Sequence, residues 1–299
     1  MDMVWRGVMP AITTPFNSDL EIDFDFLSTH LRWLVDHGSK GIVPLGSLGE
    51  AATLTFKEKV AILERSVETV GSKVPIVAGV SALSTNEAVE LAKAAESVGC
   101  LGLMVLPPYV YRGSWDETRA HMSEVIKATS LSCMLYNNPI AYGTDIVPEQ
   151  VLELADLHSN LHAVKESSTD IRRISGIRAL LGDRLAIFVG VDDAIYEGMA
   201  VGAVGWIAGL VNAFPKESIE LFELCRRKEM GLAFDLYRWF LPMLRLDTVP
   251  KFVQLIKLVQ QEVQMGNERV RPPRHVLTGE EREDALRVVR QALDERPKV

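Results

Sequence analysis

The sequence predicts a (β/α)8 TIM barrel with a C-terminal helical appendage, in the α/β class, and three observations predict it. Short, continuously apolar runs alternate with amphipathic stretches through the first three quarters of the chain, eight such runs can be counted, and the repeat is about 25 to 30 residues. Runs that are apolar at every position, rather than at alternate ones, belong to a parallel sheet covered by helices. A doubly wound open sheet is the alternative, but no G-x-G-x-x-G fingerprint follows the first run.

The strand-like runs are residues 7–16 (GVMPAITTPF), 41–47 (GIVPLGS), 74–81 (VPIVAGVS), 100–108 (CLGLMVLPP), 131–139 (LSCMLYNNP), 161–168 (LHAVKESS), 185–192 (LAIFVGVD) and 203–211 (AVGWIAGLV). Helix punctuation stands between them. DFDFLSTHLRWLVDHG ends at Gly38, TFKEKVAILERSVETVG opens as a capping box at Thr55 with Glu58 and ends at Gly71, and STNEAVELAKAAESVG ends at Gly99. The C-terminal quarter reads as further helices, GLAFDLYRWFLPMLRL, VPKFVQLIKLVQQEV and GEEREDALRVVRQAL, with the loop GNERVRPPRHVL before the last. No flexible linker sets them apart. Residues 1–225 are therefore read as the barrel and 226–299 as helices packed on it in one structural unit.

Composition narrows the function. The chain has 299 residues, 47% hydrophobic and 24% charged, with a formal net charge of −8 and no basic run. Nucleic acid and acidic membrane surfaces are disfavoured as partners, whereas a local pocket can still hold a small anion. The three cysteines, Cys100, Cys133 and Cys225, lie in apolar segments without metal or disulfide spacing and read as reduced core residues. The N-terminus lacks a basic region followed by an apolar stretch, and no apolar run reaches about 18 residues. A cytoplasmic location is expected.

In this fold, sites gather at the C-terminal ends of the strands. Those ends carry TTPF, GSLGE, PPYVY, YNNP, KESS, GVDD and GLVN. Lys165 is the lysine that falls within a strand-like run, with Leu161, Ala163 and Ser167 on its face. If that face points into the barrel, desolvation favours the neutral amine, a nucleophile able to form an imine with a ketone carbon. The commoner fate of a buried lysine is an ion pair, here with Glu50 or Asp192. Neighbouring strands lie about 4.8 Å apart, so Tyr136 can bring its phenol near the lysine and shuttle protons. GSLGE is a tight loop whose amides can converge on a carboxylate, with the Ser47 hydroxyl aiding the carboxylate or Tyr136. It is not G-x-S-x-G, so a serine hydrolase gains no support.

GSLGE, PPY, YNNP, VKES and GAVGWIAGLVNAFP, in this order and spacing, resemble the dihydrodipicolinate synthase and N-acetylneuraminate lyase family of Schiff-base lyases. The similarity runs from about residue 6 into the C-terminal helices, through LDTVPKFVQLIK. The resemblance implies Lys165 as the imine-forming residue, Tyr136 as proton relay and Ser47 as its helper. Gly46, Leu48, Gly49, Asn138, Ser167 and Ile207 are expected around the substrate, a 2-oxo acid, with no cofactor and no metal. It further implies a homotetramer, a dimer of dimers with Tyr109 at the tight interface.

Departures from the pattern point within the family. The synthase type has threonine at both loop positions, where this chain has Ser47 and Leu48. It has an arginine for the aldehyde substrate's carboxylate where Ala141 stands, and a relay tyrosine where Val110 stands, with Tyr111 beside it as a substitute. Strand 203–211 offers no hydroxyls for a sugar-acid chain, and Trp206 would narrow the pocket if it faced inward. The YNNP variant resembles the branch that removes ammonia from 1-pyrroline-4-hydroxy-2-carboxylate, which becomes the leading reading. Dihydrodipicolinate synthase or another pyruvate-dependent aldolase is the alternative. Rivals of other kinds are a metal-dependent barrel enzyme using Glu50, Glu166, Asp192 and Asp193, and a non-catalytic 2-oxo acid sensor. Glu166 is adjacent to Lys165, so one of the two points away from the barrel axis, which counts against the metal reading.

Overall fold

In the computed structural model, which describes residues 3–298, the apolar runs condense into β1 (Gly7–Pro10), β2 (Val77–Val80), β3 (Gly102–Val105), β4 (Ser132–Asn137), β5 (Leu161–Glu166), β6 (Ala186–Val189) and β7 (Gly205–Ala208). All pairings are parallel, in the order β1-β7-β6-β5-β4-β3-β2. The expected strand at 41–47 does not form. Pro44 brings no N–H to a ladder, and Leu45 turns left-handed at φ 64°, so the run is reduced to the bridges Ile42↔Ile76 and Val43↔Ala11. Those two residues nevertheless close the ring between β1 and β2. Ile42 N–H donates to the Pro75 carbonyl at 3.0 Å, Val43 N–H to Pro10 at 2.9 Å, and Val77 N–H to Ile42 at 2.9 Å.

Helices cover the outer face: α1 (Phe24–Asp36), α2 (Phe56–Val70), α3 (Thr85–Ser97), α4 (Trp115–Lys127), α6 (Pro148–Leu157), α7 (Arg172–Leu181), α8 (Ile195–Ala200) and α9 (Pro215–Arg226), whereas the single turn α5 (Pro139–Tyr142) lies at the C-terminal end of the barrel. Asp23, Thr55, Ser84 and Ser114 each accept a first-turn N–H, and Thr55–Glu58 closes as the expected capping box. Each such cap is worth about 1 kcal/mol. Gly38 and Gly99 end their helices with φ of 103° and 94°, a conformation open to glycine. The three cysteines are free and buried, and burial pushes the Cys100 and Cys133 thiols up to about 12. Among the described residues, no helix is long and apolar enough to cross a membrane.

The appendage comprises α10 (Met230–Leu244), α11 (Phe252–Glu262) and α12 (Gly279–Asp294). It is locked to the barrel by charge. Lys257 donates to Glu50 at 2.5 Å and to the Arg269 carbonyl at 2.7 Å, while Arg271 N–H donates to the other Glu50 oxygen at 3.0 Å. Both side chains of the Lys257–Glu50 pair are buried, and the ammonium also sits 4.3 Å from the Phe16 ring centroid. Between α10 and α11 a one-turn link, Arg245–Asp247, crosses the C-terminal end of the barrel.

Candidate active site

A cavity of about 430 Å³ opens at that end, with Lys165 in its wall. The register sets Lys165 on β5 beside Tyr136 on β4 and Phe188 on β6. Strand parity turns its side chain inward and Glu166 outward, where Asn137 Nδ2 at 3.1 Å and the Ser168 N–H at 2.6 Å hold the Glu166 carboxylate. Gly190, in the loop after β6, gives the lysine its room. A Cβ there would overlap Ser167 Oγ and meet the Lys165 chain at 2.7 Å.

The carboxylates named as ion-pair partners are engaged elsewhere. Glu50 holds Lys257, and Asp192 accepts Trp206 Nε1 at 3.0 Å, the Gly209 N–H at 3.1 Å and the Leu210 N–H at 2.8 Å. Trp206 is thus turned away from the cavity to anchor Asp192, contrary to the inward ring considered from sequence, and Ile207 takes the inward position. Glu50, Glu166 and Asp192 face three different partners and do not converge as cation ligands would.

Lys165 and Tyr136 do meet, through the face of the ring: Nζ lies 4.3 Å from the centroid. The Tyr136 hydroxyl accepts from Asn138 Nδ2 at 3.0 Å, and Asn138 Oδ1 caps α5 by accepting the Ala141 N–H at 3.0 Å. Ser47 does not bond to Tyr136, as one expectation had it, but to the Tyr142 hydroxyl. The single turn of α5 causes this, because it folds Tyr142 back from the Asn138 cap toward the loop. Tyr142 stands edge-on to both Tyr136 and Tyr109, each at 5.8 Å between centroids. Burial, with Tyr136 adding to it, raises the Tyr142 phenol well above its ordinary range against the Ser47 bond, so it stays protonated. Sequence reasoning passed over Tyr142, although Asn138 and Tyr142 at i and i+4 signal a capped turn.

The loop itself is divided. Gly46, Ser47 and Leu48 line the cavity, and the Ser47 and Leu48 amides find no protein acceptor among the described residues. Gly49 does not line it. Its carbonyl accepts Thr14 Oγ1 at 2.7 Å and a Cβ would press the Ile12 carbonyl at 3.0 Å, so it ties the loop to the barrel. Asn138, Ser167, Ile207 and Tyr109 all reach the cavity, and Ser167 Oγ is buried without a partner among the described residues. Tyr111 is not free to act as a relay, because its hydroxyl donates to Glu117 at 2.9 Å in the cap of α4.

One wall was not expected. Asp247 lines the cavity from the appendage, and its Oδ1 is buried without a partner among the described residues. Nothing periodic in LDTVP announces this, because the packing of α10 and α11 decides where the link falls. Burial pushes Asp192 up to about 6 against the donors from Leu210, Gly209 and Trp206 and the Lys165 charge. Burial also holds Asp247 well above the carboxylate range, the Asp192 charge adding to it and Lys165 opposing.

Known proteins match this arrangement along almost the whole chain. The model of the "Dihydrodipicolinate synthetase family" matches residues 4–292. The 4-hydroxy-tetrahydrodipicolinate synthase of Geobacter metallireducens is 34% identical over 234 residues, 78% of this chain and 80% of the relative. That of Methanopyrus kandleri is 32% identical over 289 residues, 96% of this chain and 95% of the relative. Among solved structures, dihydrodipicolinate synthase from Aquifex aeolicus superposes with a TM-score of 0.92 at 26% identity, covering 96% of this chain and 97% of the other. The enzyme from Bacillus anthracis gives 0.92 at 27% identity, covering 99% and 100%. The chain belongs to the dihydrodipicolinate synthetase family and is a class I Schiff-base lyase built on a (β/α)8 barrel with C-terminal helices.

Proposed function

We propose that Lys165 forms an imine with C2 of a small 2-oxo acid or cyclic imino acid, and that the reaction is the deamination of 1-pyrroline-4-hydroxy-2-carboxylate. The observation that carries the reading is a lysine inside a closed barrel, without an ion pair among the described residues, facing a cavity that also holds the Tyr136, Ser47 and Tyr142 hydroxyls. The free amides of Ser47 and Leu48 suit the carboxylate next to C2. Lys165 adds to C2 and the ring nitrogen leaves as an amine on C5, opening the ring. Loss of a C3 proton gives an enamine, which expels the C4 hydroxyl as water. The double bond then migrates to C4–C5, the resulting enamine takes a proton at C4 and loses one from nitrogen to become the C5 imine, and water hydrolyses both that imine, releasing ammonia, and the bond to Lys165. Two waters enter and one leaves, and no cofactor takes part.

The cavity lining supports this branch, since Ala141 stands where the synthase type has an arginine and Asp247 adds an acid. A second carboxylate is poorly served there. The second reading is 4-hydroxy-tetrahydrodipicolinate synthase. The names of the relatives favour it over the deaminase, and Arg274 at the cavity wall offers a guanidinium. Borohydride reduction with pyruvate, other 2-oxo acids and 1-pyrroline-4-hydroxy-2-carboxylate, followed by peptide mass spectrometry and an ammonia assay, separates the two. The deaminase reading expects a Lys165 adduct and ammonia from the pyrroline. A pyruvate adduct without ammonia leaves the synthase reading, and no adduct from any compound rejects both.

A homotetramer acting in the cytoplasm completes the proposal. Its support is the exposed apolar rim near Tyr109, with Leu83 at 69%, Val110 at 72% and Ile140 at 69% exposure. Sedimentation that gives a monomer at working concentration contradicts the tetramer, and cell fractionation tests the location.

A further inference from the structure

Asp192 and Asp247 flank one glycine in opposite circumstances. Asp192 takes three N–H donors, one of them from Gly209, so its negative charge is well supported. Asp247 lies so close over the same glycine that a Cβ there would overlap its carboxylate, yet its buried Oδ1 receives no donor among the described residues. Two carboxylates held together away from water do not both ionise easily, and the proton stays on the one without donors. Asp193, held by Arg245 at 3.6 Å, adds a further negative charge, while Lys165 opposes it. A protonated carboxyl in a cavity wall is a hydrogen-bond donor and an acid. Among the other lining residues, Thr248 already donates its hydroxyl to the Arg245 carbonyl at 3.0 Å, Arg274 lies 3.9 Å from Glu50, and Ile140, Ala141, Val249 and Pro250 are apolar.

Resting on the reading of Lys165 as the imine-forming residue, we infer that Asp247 is the acid that delivers a proton to the hydroxyl leaving C4 of the bound enamine. In that step the C4–O bond breaks with its electron pair on oxygen, which takes the Asp247 proton and departs as water. The enamine pair forms the C3–C4 double bond, C2 regains its double bond to Lys165 nitrogen, and Asp247 is left as a carboxylate that water re-protonates. The substrate class this selects is a 2-oxo acid or 1-pyrroline-2-carboxylate carrying a poor leaving group at C4.

The test compares full-length wild type, D247N and D247A on 1-pyrroline-4-hydroxy-2-carboxylate and on its 4-chloro analogue, whose chloride departs without a proton. Borohydride trapping of pyruvate reports folding and imine formation separately. Expected are wild-type trapping in both variants, a loss of about 10²- to 10⁴-fold on the hydroxy substrate and less than about 10-fold on the chloro analogue. Equal losses on both substrates, or none, overturn the inference and leave the role of Lys165 standing. Wild type that traps pyruvate but leaves the hydroxy compound unchanged overturns the deaminase branch and the inference together, and failure to trap pyruvate rejects the imine reading itself.

Discussion

Tyr136 presents the face of its ring, not its hydroxyl, to Lys165 Nζ, 4.3 Å from ring centroid to nitrogen. Ring and hydroxyl therefore have separable roles. Tyr136→Phe keeps the aromatic face and loses the group that moves protons, and is expected to slow imine formation by about 10²-fold. Tyr136→Ala removes both and is expected to be slower still. The rate of borohydride trapping measures each, and equal rates for the two variants would mean that the ring face contributes nothing.

Ser47 and Tyr142 form a hydroxyl pair within one chain. Tyr142→Phe preserves the edge-on packing against Tyr136 and Tyr109 while removing that bond. Turnover is expected to fall by at least about 10-fold, while stability drops by only about 1 kcal/mol, the net worth of one hydrogen bond. Steady-state kinetics beside a denaturant melt distinguish this from a packing role, which would move stability and leave turnover alone.

Gly190 is a steric condition for the site. Gly190→Ala places a methyl into Ser167 Oγ and against the Lys165 chain, so imine trapping is expected to be lost with a stability cost of about 1–3 kcal/mol. Trapping at the wild-type rate would show that Lys165 does not occupy that channel.

The Glu50–Lys257 pair joins the appendage to the loop that carries Ser47. Lys257→Met leaves the buried Glu50 carboxylate with the Arg271 N–H and the more distant Arg274 at 3.9 Å, with an expected cost approaching about 3–5 kcal/mol. Adding Glu50→Gln should recover part of it, and urea unfolding of the single and double variants measures both. A single variant as stable as wild type would contradict the ion pair.

His30 makes the fold acid-sensitive. Buried without room for a charge, and donating through Nε2 to the Asn212 carbonyl at 2.9 Å, it is held down to about 4 from 6.5, burial outweighing that bond. A depressed histidine binds fewer protons folded than unfolded, so its contribution to stability is intact above the unfolded value and declines as pH falls from 6.5 toward 4, by about 3 kcal/mol in full. Denaturation midpoints of wild type and His30→Gln across that window are expected to converge toward low pH. A gap that widens on acidification would reverse the sign.

Much of this arrangement was legible before the fold was seen, because it depended on local rules. Period 2 on LHAVKESS turned Lys165 inward and Glu166 outward, and the Thr55 cap and the stops at Gly38 and Gly99 fell where their chemistry required. What escaped depended on direction and distance. Pro44 and Leu45 cut short a run that reads as a strand by composition. The turn of α5, not any residue type, gave Ser47 to Tyr142 rather than Tyr136. Asp247 reached the cavity because α10 and α11 pack so as to carry their link across the barrel end, which no pattern in a single chain encodes.

The central claim is that one nitrogen, Lys165 Nζ, bonds to the substrate. Wild type and Lys165→Arg, each reduced with borohydride in the presence of pyruvate and digested, test it by mass spectrometry. The account predicts one reduced pyruvyl group on the peptide containing Lys165, with no adduct and no turnover in the variant, whose fold is confirmed by its melt. An adduct on any other lysine, or turnover that survives the substitution, would contradict it.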